Sequence, residues 1–341
     1  MAHMIDMTTG KAAMAFVGQK PWHGLGSELT PGATIEQWTD EAGLGYTVLE
    51  SPVLYETPAV TELQRWPDRK VLHRSDTGAP LAVVSDGYHV VQPAQVMDFF
   101  RKLSDIGGFE LETAGALSDG KRVWALASVG AAAPVLNRDL VKPYPLFGTS
   151  YDGTMATVAK FTAIRVVCNN TITAAVGGFS NGRPIVGEVE TSTGYLKSAV
   201  RVLHSERFDP DQVRLQLGIV ANAFEEFMVN ARQLAGISMS EPEVDGFIAE
   251  LLKPYHTSKL AINETKGFKR IRELFDGAAI GSELAGGPNR WQMLNAVTEL
   301  VDHERGRSNN TRCESAWFGQ GAGLKARAVD LLTSGAFEAI A

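Results

Sequence analysis

The chain has 341 residues, 44% hydrophobic and 21% charged, values of an ordinary globular protein long enough for two domains or one large one. Subtracting 39 acidic from 32 basic side chains leaves a net charge of -7, and the pI is near 5.6. Coating nucleic acid by bulk positive charge is therefore excluded, and any such site must be a local patch.

No run of about 18 apolar residues suits a membrane span, and Asp6 and Lys11 interrupt the first candidate signal core. Cys168 and Cys313 lack the paired spacing of thiolate metal sites or redox motifs. The expectation is a cytoplasmic protein with reduced thiols and no membrane partner, metal or cofactor. Residues 1–10 read as a start of which Met1 to Met4 are vector-derived and the natural initiator is Met4 or Met7.

Residues 11–192 predict a hairpin-rich core. Thr34 is placed to cap a short helix through Ile35, Trp38 and Ala42. Strands are expected at Tyr46 to Leu54, Arg69 to His73 and Leu81 to Val84. Asp86-Gly87, Asp119-Gly120 and Asp152-Gly153 each lie between apolar runs, and Asp-Gly suits the positive φ angles of tight hairpin turns. Three hairpins follow: 81–85 with 88–91, 109–117 with 121–129, and 146–150 with 154–167. Between the first two, Pro93 opens a helix that Gly107-Gly108 ends.

Residues 193–341 predict a helical region. Helices are expected at 195–206, from Pro210 to about Ala235, and at 241–252, 265–275, 290–302 and 324–332. In the second, Val213, Leu217, Val220, Phe224, Phe227, Ala231 and Leu234 make one apolar seam, suited to burial within the chain or to subunit packing. The fold class is α+β: an antiparallel sheet with a crossing helix, then a mostly helical C-terminal part.

Several blocks together carry a family resemblance. They are Pro21-Trp22-His23-Gly24-Leu25-Gly26, Ser85 to Val91, Gly115-Ala116-Leu117 with Lys121 to Trp124, Ser150 to Gly153, Arg165 to Thr171, and Asn295 to Glu299 with Val301-Asp302-His303. In this order they closely resemble the phage/plasmid-like family of the domain of unknown function numbered 932. That resemblance implies a role in mobile-element DNA metabolism. The hairpin, sheet and crossing helix are also similar in outline to single-strand annealing proteins, which form rings and hold single-stranded DNA in a basic groove.

The residues suggest where such a strand would lie. Lys121, Arg122 and Trp124 follow the second Asp-Gly turn, with Arg122 and Trp124 on one strand face, a platform for phosphate neutralisation and base stacking unless the Trp is core. Lys160 is an unusual cation in an apolar strand, and Arg165 falls on its opposite face. Lys266, Lys269 and Arg270 share one side of a helix, and Arg305 and Arg307 lie in a polar loop. The expected partners are single-stranded DNA and further copies of the chain.

Two other classes compete. An enzyme or accessory factor acting on a nucleotide or small molecule draws on Gly319 to Gly323 ahead of a helix, although the Walker ending is missing. Glu299 with His303 reads as a polar helix end and Cys168 as a small buried hydrophobe, so neither is assigned catalysis. A structural or regulatory phage protein would suit the acidic charge and apolar seam equally well.

Overall fold

The computed structural model describes residues 5–18, 24–58, 60–106, 109–165, 170–172, 179–180, 183–184, 199–205, 207–209, 221–257, 259–305, 315–316 and 319–338. The chain divides into two compact units. The first comprises 1–129, 145–160 and 200–218; the second comprises 130–144, 161–199 and 219–341. The chain therefore passes between the units several times.

Unit 1 begins with β1 (Met14–Val17), β2 (Ser27–Leu29) and α1 (Ile35–Glu41). Thr34 caps α1, accepting the amide proton of Gln37 while the Gln37 side chain accepts that of Thr34. This reciprocal pair satisfies two amides that the first turn leaves open. Next come β3 (Val48–Thr57), β4 (Val60–Arg74), β5 (Pro80–Ser85), α2 (Pro93–Ile106), β6 (Phe109–Leu117) and β7 (Arg122–Val129). Strands β3, β4 and β5 form a separate antiparallel sheet in that order.

In the larger sheet β7 pairs antiparallel with β6, β6 with β1, and β1 runs parallel to β2. β9 (Asp139–Ser150) lies on the other side of β7, matching Arg122 with Ser150 and Leu126 with Leu146. Helix α2 packs on β6 and β7. Its Phe99 and Phe100 meet Phe147 of β9, ring centroids 5.2 and 6.4 Å apart, and all three rings are buried. Core side chains thus recur at helical spacing on α2, while β7 beneath it is buried without a break from Val123 to Ser128.

Unit 2 holds β8 (Ala133–Leu136), paired with the first part of β9, and the second part of β10 (Thr157–Arg165), paired with β11 (Asn170–Ile172). Two short strands, β12 (Phe179–Ser180) and β13 (Arg183–Pro184), follow. After β14 (Ala199–Val202) come α3 (Ala221–Ala235), α4 (Glu241–Leu252), α5 (Lys266–Glu273), α6 (Arg290–Glu299) and α7 (Gln320–Ser334). Of the described part of the apolar seam, Phe227, Ala231 and Leu234 are buried and Phe224 is half-buried, and Phe227 meets Trp291 of α6 edge-on. Residues 210–220, and with them Val213, Leu217 and Val220, lie outside the described residues.

The architecture is α+β, a hairpin-rich sheet part with a helix and a helical C-terminal part. The second hairpin, β6–β7, forms around Ser118, Asp119 and Gly120, all at positive φ. The third brings β9 and β10 together as neighbours. Two expectations are corrected. Asp86-Gly87 makes a turn, closed by Tyr88 N–H to Ser85 O, but no strand follows it. The His89 amide goes instead to the His204 carbonyl, so the backbone group that would have paired with β5 is already used. Residues 199–202 are not helical, because they form β14 against β10 and sheet pairing overrides the local helical pattern.

Candidate nucleic-acid interface

The β6–β7 turn is a packing site. Arg74, at the end of β4, is 1% exposed and forms an ion pair with the equally buried Asp6, while its Nε and Nη2 donate to Asp76 at 2.9 and 2.7 Å. Its guanidinium lies 4.0 Å from the centroid of the Tyr46 ring, and Tyr46 donates its hydroxyl to Gly120 O at 2.9 Å. A Cβ at Gly120, where φ is +82°, would stand 2.6 Å from Arg74 Nη1. Glycine is needed here because the turn closes directly over the buried cation.

Beside this turn Lys121 and Arg122 are half-buried. Arg122 donates to Thr154 Oγ1 at 2.8 Å and faces Asp152 at 3.6 Å, so its charge is balanced within the unit. Trp124 is 4% exposed and presents no face to a ligand. The core alternative for this pair is the observed one, since β7 is buried from Val123 to Ser128. Lys160 and Arg165 belong to β10, an odd number of residues apart and hence on opposite faces, and their side chains lie outside the described residues.

On α5, Lys266 and Lys269 are exposed. The arginines beside them are not free for phosphate. Arg270 donates to both carboxylate oxygens of Glu304 at 2.7 Å and to Glu273 at 2.8 Å, bonds that raise its already high pKa further. Arg272 is ringed by Glu241, Asp245 and Asp276. Arg305 is half-buried with its guanidinium 5.6 Å from the centroid of the Tyr255 ring, and Arg307 lies outside the described residues.

The glycine run at 319–323 opens a helix. Gly319 is the cap residue of α7, and the next four residues form its first turn. A Cβ on Gly321 would sit 2.8 Å from both Ser315 O and Val301 Cγ1, so glycine serves close packing here. The same region carries a buried ion pair, Lys325 Nζ to Asp302 Oδ1 at 2.7 Å, with Asp302 on a π-helical turn at Leu300–Glu304. Cys168 lies outside the described residues, and among those described no group of three His, Cys, Asp or Glu is placed to hold a metal ion.

Sequence reasoning placed parts of β3 and β4 but passed over the bulged end of their hairpin. The register jumps from Pro52 opposite Lys70 to Leu54 opposite Arg65, so Trp66, Pro67, Asp68 and Arg69 stand against Val53 alone. This is a large bulge, with Asp68 at φ +62° and its carbonyl accepting the Asp86 amide. Bulges re-aim side chains, and here the result is aromatic exposure. Trp66 is 53% and Tyr55 43% exposed, their rings meeting edge-on at 6.2 Å. Arg65 and Arg69 flank Trp66, exposed and with no ion pair among the described residues. Leu54 and Leu63 extend the apolar surface. The overlooked signal was Trp66-Pro67 amid alternating charges, which reads as a loop.

No helix among the described residues is long and apolar enough to cross a membrane. The chain matches no curated protein and no solved structure at a significant level. Residues 80–183 and 191–317 match the family described as a domain of unknown function, DUF932, and those segments contain all but the first of the sequence blocks quoted above. The chain belongs to the DUF932 family.

Proposed function

We propose that this protein binds single-stranded DNA without catalysing a reaction on it, self-associates, and promotes strand annealing in the DNA metabolism of mobile elements. The observation that carries the reading is the β3–β4 bulge, where the rings of Tyr55 and Trp66 are exposed on a hairpin that also carries the exposed Arg65 and Arg69. Stacking surfaces beside unneutralised cations are what a sequence-tolerant single-strand site requires. Arg122, Arg270 and Arg272 are internally paired and are weaker candidates, whereas Lys266 and Lys269 remain available for backbone contacts.

Fluorescence anisotropy of a labelled single strand, titrated at low and moderate salt against a duplex control, tests this. Single-strand binding that weakens with salt, by a log–log slope of about -0.7 per phosphate contacted, supports it. No binding at low salt refutes it.

A second reading, an enzyme or accessory factor acting on a nucleotide or small molecule, draws on the buried Lys325–Asp302 pair at a π-helical turn, a feature frequent at functional sites. A thermal shift with nucleotides and none with oligonucleotides would favour it.

A further inference from the structure

The helical seam is mostly covered over its described part, with Phe227, Ala231 and Leu234 buried and Phe224 half-buried against Phe227. The open element is in the small sheet. With strand order β3-β4-β5, both outer strands present an edge that is unpaired among the described residues. On β3 that edge carries Glu50, Pro52 and Glu56, which are features that block addition of another strand. β5 has no such protection. Its sequence, Pro80-Leu81-Ala82-Val83-Val84-Ser85, holds no charge, and its single proline is at the first position. Among the described residues, no backbone hydrogen bond from 80–84 goes to anything except β4.

We propose that β5 pairs antiparallel with β5 of a second copy of this chain, joining two three-stranded sheets into one of six strands. This deepens the self-association in the reading above and rests on that part of it alone. The occupant is argued from self-compatibility. A two-fold contact sets a surface against itself, so a charged edge would meet like charge, and the uncharged β5 meets none. Alternation fixes the register. Leu72 opposite Ala82 and Pro80 opposite His73 leave Leu81 in a bulge, so Ala82 and Val84 share the inner face and Val83 the outer. A two-fold axis through Val83 keeps each residue on its own face, with Val83 opposite its own copy and Ala82 opposite Val84. Val83 is 57% exposed, the highest exposure of any large hydrophobic residue described, and the pairing sets it against its own copy.

Sedimentation velocity of the full chain without DNA, over about 1 to 100 µM, reads this as a weak association of micromolar order. The wild type is expected to sediment faster with concentration, and Val83→Lys to remain monomeric with an unchanged circular dichroism spectrum. Val83→Cys is the second variant. Opposed residues in antiparallel strands have Cα atoms about 4.5–5.5 Å apart, within disulfide reach, so oxidation should give a dimer whose cross-link maps by mass spectrometry to position 83.

A wild type that is monomeric throughout overturns the edge and self-association together. Association that Val83→Lys leaves intact, with no cross-link at 83, overturns the edge alone. Oligonucleotide binding by the monomeric variant separates both outcomes from the nucleic-acid reading.

Discussion

Replacing Asp6 by alanine should unfold unit 1 at a markedly lower temperature, because it strands a buried charge. Arg74 and Asp6 are each 1% exposed, and their ion pair bridges the start of the chain to the end of β4. Asp6 also accepts from the Thr8 amide at 2.9 Å. Breaking a buried pair by removing one partner costs about 3–5 kcal/mol, since the remaining ion keeps its desolvation penalty. Asp76 still receives two bonds from Arg74 and is one-third exposed, which places the cost near the lower end, at about 3 kcal/mol. For a unit of this size that corresponds to a fall in Tm of about 6–12 °C. Differential scanning calorimetry should show that fall for Asp6→Ala, and a smaller one for Asp76→Ala because its partner keeps the buried carboxylate. The double variant Asp6→Leu/Arg74→Met should recover much of the loss, since an apolar pair carries no desolvation penalty. A fall below about 2 °C for Asp6→Ala, or a larger one for Asp76→Ala, would refute this account of the turn.

Two further outcomes follow from the packing and protonation. Gly321→Ala should destabilise unit 2 by about 1–3 kcal/mol, because the new methyl meets the Ser315 carbonyl and Val301 at 2.8 Å; denaturant midpoints measure it, and an unchanged midpoint would contradict the close approach. His204 stacks on Tyr88 with its ring nitrogens 3.0 Å from the carbonyls of His89 and Met155, and burial holds its pKa below the usual 6.5. The folded state therefore binds the proton less readily than the unfolded chain, so His204 contributes stability above pH 6.5 that is lost as pH falls through its depressed pKa. Thermal melts between pH 7 and 5 should flatten in His204→Gln, and an unaltered acid limb would count against that assignment.

Where local chemistry decides the backbone, the sequence was legible. Thr34 marks the start of α1, Pro93 opens α2, and α4 starts at the expected Glu241. Asp119-Gly120 turns β6 into β7 because the positive-φ positions are supplied within the turn itself. Where a distant partner decides, it was not legible. Tyr88 to Val91 look like a strand, yet the His89 amide bonds to His204, 115 residues away. Residues 199–202 likewise become a strand because β10 is beside them.

The candidate site follows the same division. Trp124 beside Arg122 satisfies a pattern of alternation, but alternation does not say which face is covered, and β7 is buried on both. Trp66 went unnoticed because the bulge that exposes it destroys the alternation by which a strand is recognised.

The central claim is that the β3–β4 bulge is the single-strand platform, and the most direct test compares oligonucleotide affinity of the wild type with that of Trp66→Ala and Arg69→Ala. Stacking on an aromatic side chain contributes about 1–3 kcal/mol per base, so Trp66→Ala should weaken binding about 5- to 150-fold. Its Tm should hardly move, because the ring is half exposed. Arg69→Ala should weaken binding and lower the salt slope by about 0.7. Tight single-strand binding that neither substitution alters would contradict the claim.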